Sequence, residues 1–104
     1  MATTPTTERQ IKKVVTSTAI DYTALITDDS IRITAQSVTV TLHAASAEDG
    51  KRISVSRRYA AGTLSSIAPD GGDTINGSAA SINLVTNNTS FNLESDGVSD
   101  WGIV

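Results

Sequence analysis

The side chains able to do chemistry are few. His43 is the only histidine, and there is no cysteine. Acids come as two adjacent pairs, Asp28-Asp29 and Glu48-Asp49, and in one dense stretch, Pro69-Asp70-Gly71-Gly72-Asp73-Thr74-Ile75-Asn76-Gly77-Ser78. Arg57-Arg58-Tyr59 sets two guanidinium groups beside a ring, a set able to stack on a base or a sugar. Trp101 is the largest apolar side chain and lies close to the C-terminus.

The dense stretch fails as a metal or phosphate loop. An EF-hand needs oxygen ligands at alternate positions and a distant Glu; here Asp70, Asp73 and Asn76 are spaced by three. A calcium β-roll needs Gly and Asp where Thr74 and Asn76 stand. A phosphate loop needs a Lys, and residues 59–104 contain none. As turn chemistry the stretch reads well. Pro69 presets φ, Asp70-Gly71-Gly72 supplies positive φ, and Asn76-Gly77 is a favoured type I′ hairpin pair. Ile75, between the two turns, is expected in the core. Gly71, Gly72, Ile75, Gly77 and Trp101 are therefore assigned to turns and core.

A Ser-His-Asp arrangement can be drawn around His43 only because Ser and Asp are common in this chain, so the match has no weight. Alternation after Leu42 turns His43 outward at a strand end. The acidic pairs suit solvated turns and caps. No catalytic, cofactor-binding or metal-ligating residue is named, and the chain is not expected to be an enzyme.

Composition favours strands. Ile and Val number eighteen together against five Leu, with twenty-eight Thr and Ser. β-Branched side chains are stiff at χ1 and suit a pleated surface. Net charge is −3, unsuited to a general nucleic-acid binder. Its distribution is uneven: all eight Lys and Arg lie in residues 1–58, while residues 59–104 hold five acids and no base. That asymmetry suits either a randomly decorated surface or a particle whose two ends meet different partners. No apolar run approaches a bilayer span, and Met1–Lys13 has no hydrophobic signal core, so synthesis in the cytoplasm and no membrane partner are expected.

Along the chain, residues 1–17 read as an N-terminal arm and 18–104 as one β module. Arg9, Lys12 and Lys13 make the most basic local cluster: a solvated tail, or an arm lying on a neighbouring protein. Period-two alternation then recurs in Ile31–Thr34, Ser37–Leu42, Lys51–Arg58, Ser81–Val85 and Ser90–Glu94, with turn residues between. Seven to nine short strands at close spacing predict an all-β domain, a small antiparallel sandwich of jelly-roll-like or barrel-like form. So small a core of Ile and Val leaves apolar surface for subunits to share.

The order of motifs resembles a small β module of tailed-bacteriophage virion proteins, found in tail fibres and in head fibre or decoration proteins. The resemblance rests on Ile31-Arg32-Ile33, Val38–Leu42, Gly50–Val55, Gly71-Gly72-Asp73-Thr74-Ile75-Asn76-Gly77, Ile82-Asn83-Leu84, and Ser95-Asp96-Gly97 followed by Trp101. It covers roughly residues 20–104. His43 stands where such modules usually have Pro, and Gly102 where an aromatic commonly follows the Trp. The resemblance implies a homotrimeric virion structural protein without enzyme activity. The first expectation is a capsid decoration (cement) protein on the phage head surface. Its partner would be the major capsid protein, gripped through Arg9, Lys12 and Lys13. The module fills nearly the whole chain, leaving no room for a fibre shaft. The alternative is a tail- or head-fibre module that binds a host receptor or glycan, with Arg57, Arg58 and Tyr59 as contacts.

Overall fold

The computed structural model describes residues 13–104; Arg9 and Lys12 lie outside the described residues. The described chain is nearly all β, with ten strands in two sheets and a single 3₁₀ turn at Ala45–Ala47. The strands are β1 (Val15–Thr18), β2 (Tyr22–Thr23), β3 (Ser30–Ile33), β4 (Thr39–Thr41) and β5 (Arg52–Arg57). Then come β6 (Ser65–Ala68), β7 (Thr74–Ile75), β8 (Ile82–Leu84), β9 (Ser90–Ser95) and β10 (Asp100–Ile103). The large sheet has the order β1-β3-β5-β9-β10-β7, and the small sheet β2-β4-β6-β8.

The sheets are not the antiparallel arrangement the alternation suggested. Five of the eight strand pairings are parallel, and only β6·β8, β5·β9 and β9·β10 are antiparallel. From β1 to β6 the chain crosses between sheets at every step, so β1, β3 and β5 stack in parallel on one side and β2, β4 and β6 on the other. Each strand of one sheet is thus the crossover that a parallel pair in the other requires. The rungs are unequal. Val15 pairs with Ser30, fifteen residues on, and Ser30 with Ser54, twenty-four on. Unequal rungs explain why no internal repeat is visible in the sequence. After β6 the winding ends: β8 runs back along β6, and β9 runs back along β5.

Alternation does place the core. Ile31 and Ile33 of β3, Val40 of β4, Ile53 and Val55 of β5, Ile67 of β6, Leu84 of β8 and Leu93 of β9 are all buried between the sheets. Each contributes about 1.5–3 kcal/mol relative to exposure. Trp101 is fully buried, and its Nε1 donates to His43 O at 3.3 Å. The alternate positions Arg32, Arg52, Ser54, Ser90 and Asn92 face out from the large sheet, and Thr39, Thr41, Ser66 and Asn83 from the small one. Residues 15–17, read as part of the arm, belong to the sheet: all three pair with β3 through the register Val15↔Ser30 to Ser17↔Arg32.

Candidate interaction surfaces

The stretch from Pro69 to Ser78 builds the edge of the large sheet. Asn76 and Gly77 adopt φ of 50° and 80°, the left-handed pair of a type I′ turn, closed by Ile75 N–H to Ser78 O at 2.8 Å and the return bond at 3.0 Å. Of the two preceding glycines only Gly72 has positive φ; Gly71 does not. Ile75 is buried and pairs with Trp101 across the parallel β7·β10 contact. The polar side chains are spent on backbone: Asp73 Oδ2 accepts from Ala45 N–H at 2.9 Å, and Asn76 Oδ1 from Ile103 N–H at 3.0 Å. Asp100 Oδ1 takes both the Thr74 hydroxyl at 2.5 Å and Gly77 N–H at 2.9 Å. Asp73 and Asp100 are therefore braces, and among the described residues no group of three His, Cys, Asp or Glu could hold a metal ion.

Arg57-Arg58-Tyr59 is divided by the sheet. Arg57 is 4% exposed. Its Nη1 donates to Leu84 O at 3.2 Å and Val85 O at 2.6 Å, its Nε to Tyr59 O at 3.2 Å, and its guanidinium lies 4.2 Å from the Tyr59 ring centroid. Tyr59 is half-buried, its hydroxyl donating to Thr63 O at 2.7 Å. Arg57 is thus a clamp between β5 and the end of β8, not the partner contact expected of it. The signal was present in the sequence: Arg57 is two residues past the inward Val55. Arg58, one position on, faces solvent.

His43 also departs from expectation. It is 9% exposed, and its ring meets Trp101 edge-on at 5.0 Å between centroids. The strand ends at Thr41, so alternation no longer governs the next side chains. Nδ1 lies 3.0 Å from Ala44 O and acts as the donor, since a carbonyl can only accept. Nε2 is buried without a partner. No hydroxyl or carboxylate bonds either ring nitrogen among the described residues.

Near β1, Asp28 is not the solvated turn acid that the sequence suggested. Asp28 is 2% exposed and accepts from Thr16 Oγ1 at 2.7 Å, Tyr22 Oη at 2.6 Å and Leu25 N–H at 2.8 Å. Burial pushes its pKa up, but the hydrogen bonds from Thr16, Tyr22 and Leu25 together outweigh that and hold it below the ordinary value. The same bond to Asp28 raises Tyr22 above the usual phenol value. Its neighbour Asp29 is lowered first by Val14 N–H and then by the Lys51 ammonium, 3.0 Å away. In the Ser95–Asp100 turn, Asp96 is lowered by the backbone N–H groups of Asp100, Val98 and Ser99.

Lys13 is exposed and lies at the rim of a groove of about 690 Å³ on the large sheet, shared with Asp29, Glu48, Lys51, Arg52 and Asn92. Arg52 is ion-paired there with Glu94 at 2.8 Å. Five large apolar side chains in β1 or within the residues that adjoin it in sequence are exposed: Val14, Val15, Ile20, Leu25 and Ile26, with Ile20 at 74%. The outer backbone edge of β1 has no strand beside it among the described residues. No protein-family model matches this chain, and no curated protein matches it by sequence.

Proposed function

We propose that this chain is a structural protein of a tailed-phage virion, a trimeric decoration protein that binds and stabilises the head shell. The observation that carries the reading is the β1 edge. An open edge strand is an invitation to association that proteins normally blunt or cover. In and near this strand in the chain, Val14, Val15, Ile20, Leu25 and Ile26 are all exposed, apolar surface that a partner could bury. Lys13, two residues before Val15, is exposed beside this strand. A partner there would gain apolar burial from the edge and charge pairing from Lys13.

The test is co-sedimentation with head shells stripped of the protein. Saturable binding at a fixed number of copies per capsid protein is expected, and deletion of residues 1–12 should weaken it while leaving the fold intact. Absence of binding to intact shells would end the decoration reading. A second reading, a fibre module that binds a host glycan, draws on the 690 Å³ groove, whose Lys13, Asp29, Glu48, Lys51, Arg52 and Asn92 side chains offer donors and acceptors to sugar hydroxyls. Signal on a glycan array that is lost in Asn92→Ala would favour it.

A further inference from the structure

A second concavity, of about 430 Å³, opens on the outer face of the large sheet, lined by Ser17, Arg32, Thr34 and Arg58. Its residues come from three neighbouring parallel strands. Ser17 pairs with Arg32, and Arg32 pairs with Ser56. Arg58 follows Ser56 by two residues, and its N–H continues the ladder to Ile33 O at 2.7 Å, so it occupies the next row of the same face. Diagonal neighbours on a sheet lie about 7–8 Å apart, near enough for two long cations to repel.

No acid lines this concavity, and among the described residues neither arginine has a carboxylate partner; the ion pairs there belong to Lys51 and Arg52. Free of other constraints, Arg58 would swing away from Arg32. It is instead drawn towards it: Nε donates to Ser56 Oγ at 3.1 Å, and Ser56 is the residue paired with Arg32. Nη1 reaches Asn88 Oδ1 at 3.5 Å on the other side. The fold thus holds a cation beside a cation, with the hydroxyls of Ser17 and Thr34 at the rim.

We propose that Arg32 and Arg58 form an oxyanion site that receives a carboxylate side chain from an acidic protein surface. A planar carboxylate matches the guanidinium fork and relieves the repulsion between the two arginines. The Ser17 hydroxyl can serve one of its remaining lone pairs, whereas the Thr34 hydroxyl is already donated to Thr18 O at 3.1 Å. The site lies on an open sheet face whose neighbouring positions are the short side chains Ser54, Ser90 and Asn92, so a flat partner can reach it. The virion reading is used only to say which protein carries the acidic surface.

The test is fluorescence anisotropy with a labelled deca-glutamate peptide, beside a sulfated hexasaccharide, at low salt. Arg32→Gln/Arg58→Gln should weaken peptide binding by about tenfold or more. Arg52→Gln, on the same face but already paired with Glu94, should change it by less than about threefold. The melting temperature of the double variant should equal or exceed that of the wild type, because a repulsion is removed. Arg32→Lys/Arg58→Lys keeps the charge and loses the fork, and should also weaken binding, which guards against a folding defect in the glutamine variant. Equal losses in the Arg52→Gln control, no peptide binding by the wild type, or preference for the sulfated sugar would each overturn the proposal. Failure to bind shells with peptide binding intact would refute the virion reading and leave this site standing.

Discussion

Replacing Arg57 by Met separates a structural clamp from a binding residue. Met keeps the packing volume near Tyr59 and removes every donor. Leu84 O then loses its buried bond, at about 1–3 kcal/mol. The contact over the Tyr59 ring is worth about 0.5–2 kcal/mol. Val85 O and Tyr59 O are partly exposed, and water replaces their donor at about 0.5–1.5 kcal/mol each. Against these losses stands the cost of keeping a guanidinium 4% exposed, several kcal/mol that Met no longer bears. Taken at their midpoints the losses exceed that relief by about 2 kcal/mol, a drop of roughly 8–16 °C in melting temperature for a domain of this size. Urea unfolding at fixed protein concentration, followed by the fluorescence of the single, buried Trp101, measures it. Arg58→Met, at an exposed site, is the control and should stay within about 0.5 kcal/mol. An Arg57→Met protein that unfolds at the wild-type midpoint would refute the clamp, and lost partner binding in that protein would restore Arg57 as a contact.

Other consequences are equally direct. Asp28 titrates below its unfolded value of about 3.9, so its contribution is full above that pH and is lost as pH falls through the folded value; melting temperatures should drop below about pH 4, less steeply in Asp28→Asn. Ile75→Ala should cost about 2–5 kcal/mol by opening a cavity beside Trp101, and Gly77→Ala about 1 kcal/mol or more by forcing a side chain to φ 80°, both read from the urea midpoint. His43→Phe keeps the edge-on contact with Trp101 and removes the partnerless Nε2 along with the Nδ1 bond to Ala44 O; stability should stay within about 1 kcal/mol, and a loss above about 2 kcal/mol would mean that Nε2 is bonded in solution.

By itself the sequence determined which faces are buried and where the chain turns. Period-two alternation encodes side, and Ile31, Ile33, Val40, Ile53, Val55, Ile67, Leu84 and Leu93 all lie where it puts them. Asn76-Gly77 determined its own turn, because few residues tolerate two successive positive φ values. Strand direction and partner are another matter. Alternation is the same for parallel and antiparallel neighbours, so the winding of β1 to β6 between two sheets became visible only in three dimensions. Tertiary structure also decided the fate of polar residues at strand ends. Alternation already turned Arg57 inward, but only the end of β8, with its two carbonyls, satisfies it there; His43 was drawn in because Trp101 covers it once β4 has stopped. Asp28 was drawn in because Thr16 on β1 joins the nearer Tyr22 and Leu25 in converging on one carboxylate. Arg32 and Arg58 are twenty-six positions apart and were brought to one concavity by the parallel register of β3 and β5. Facing is a local property of the backbone, whereas pairing depends on contacts between segments that the local pattern does not specify.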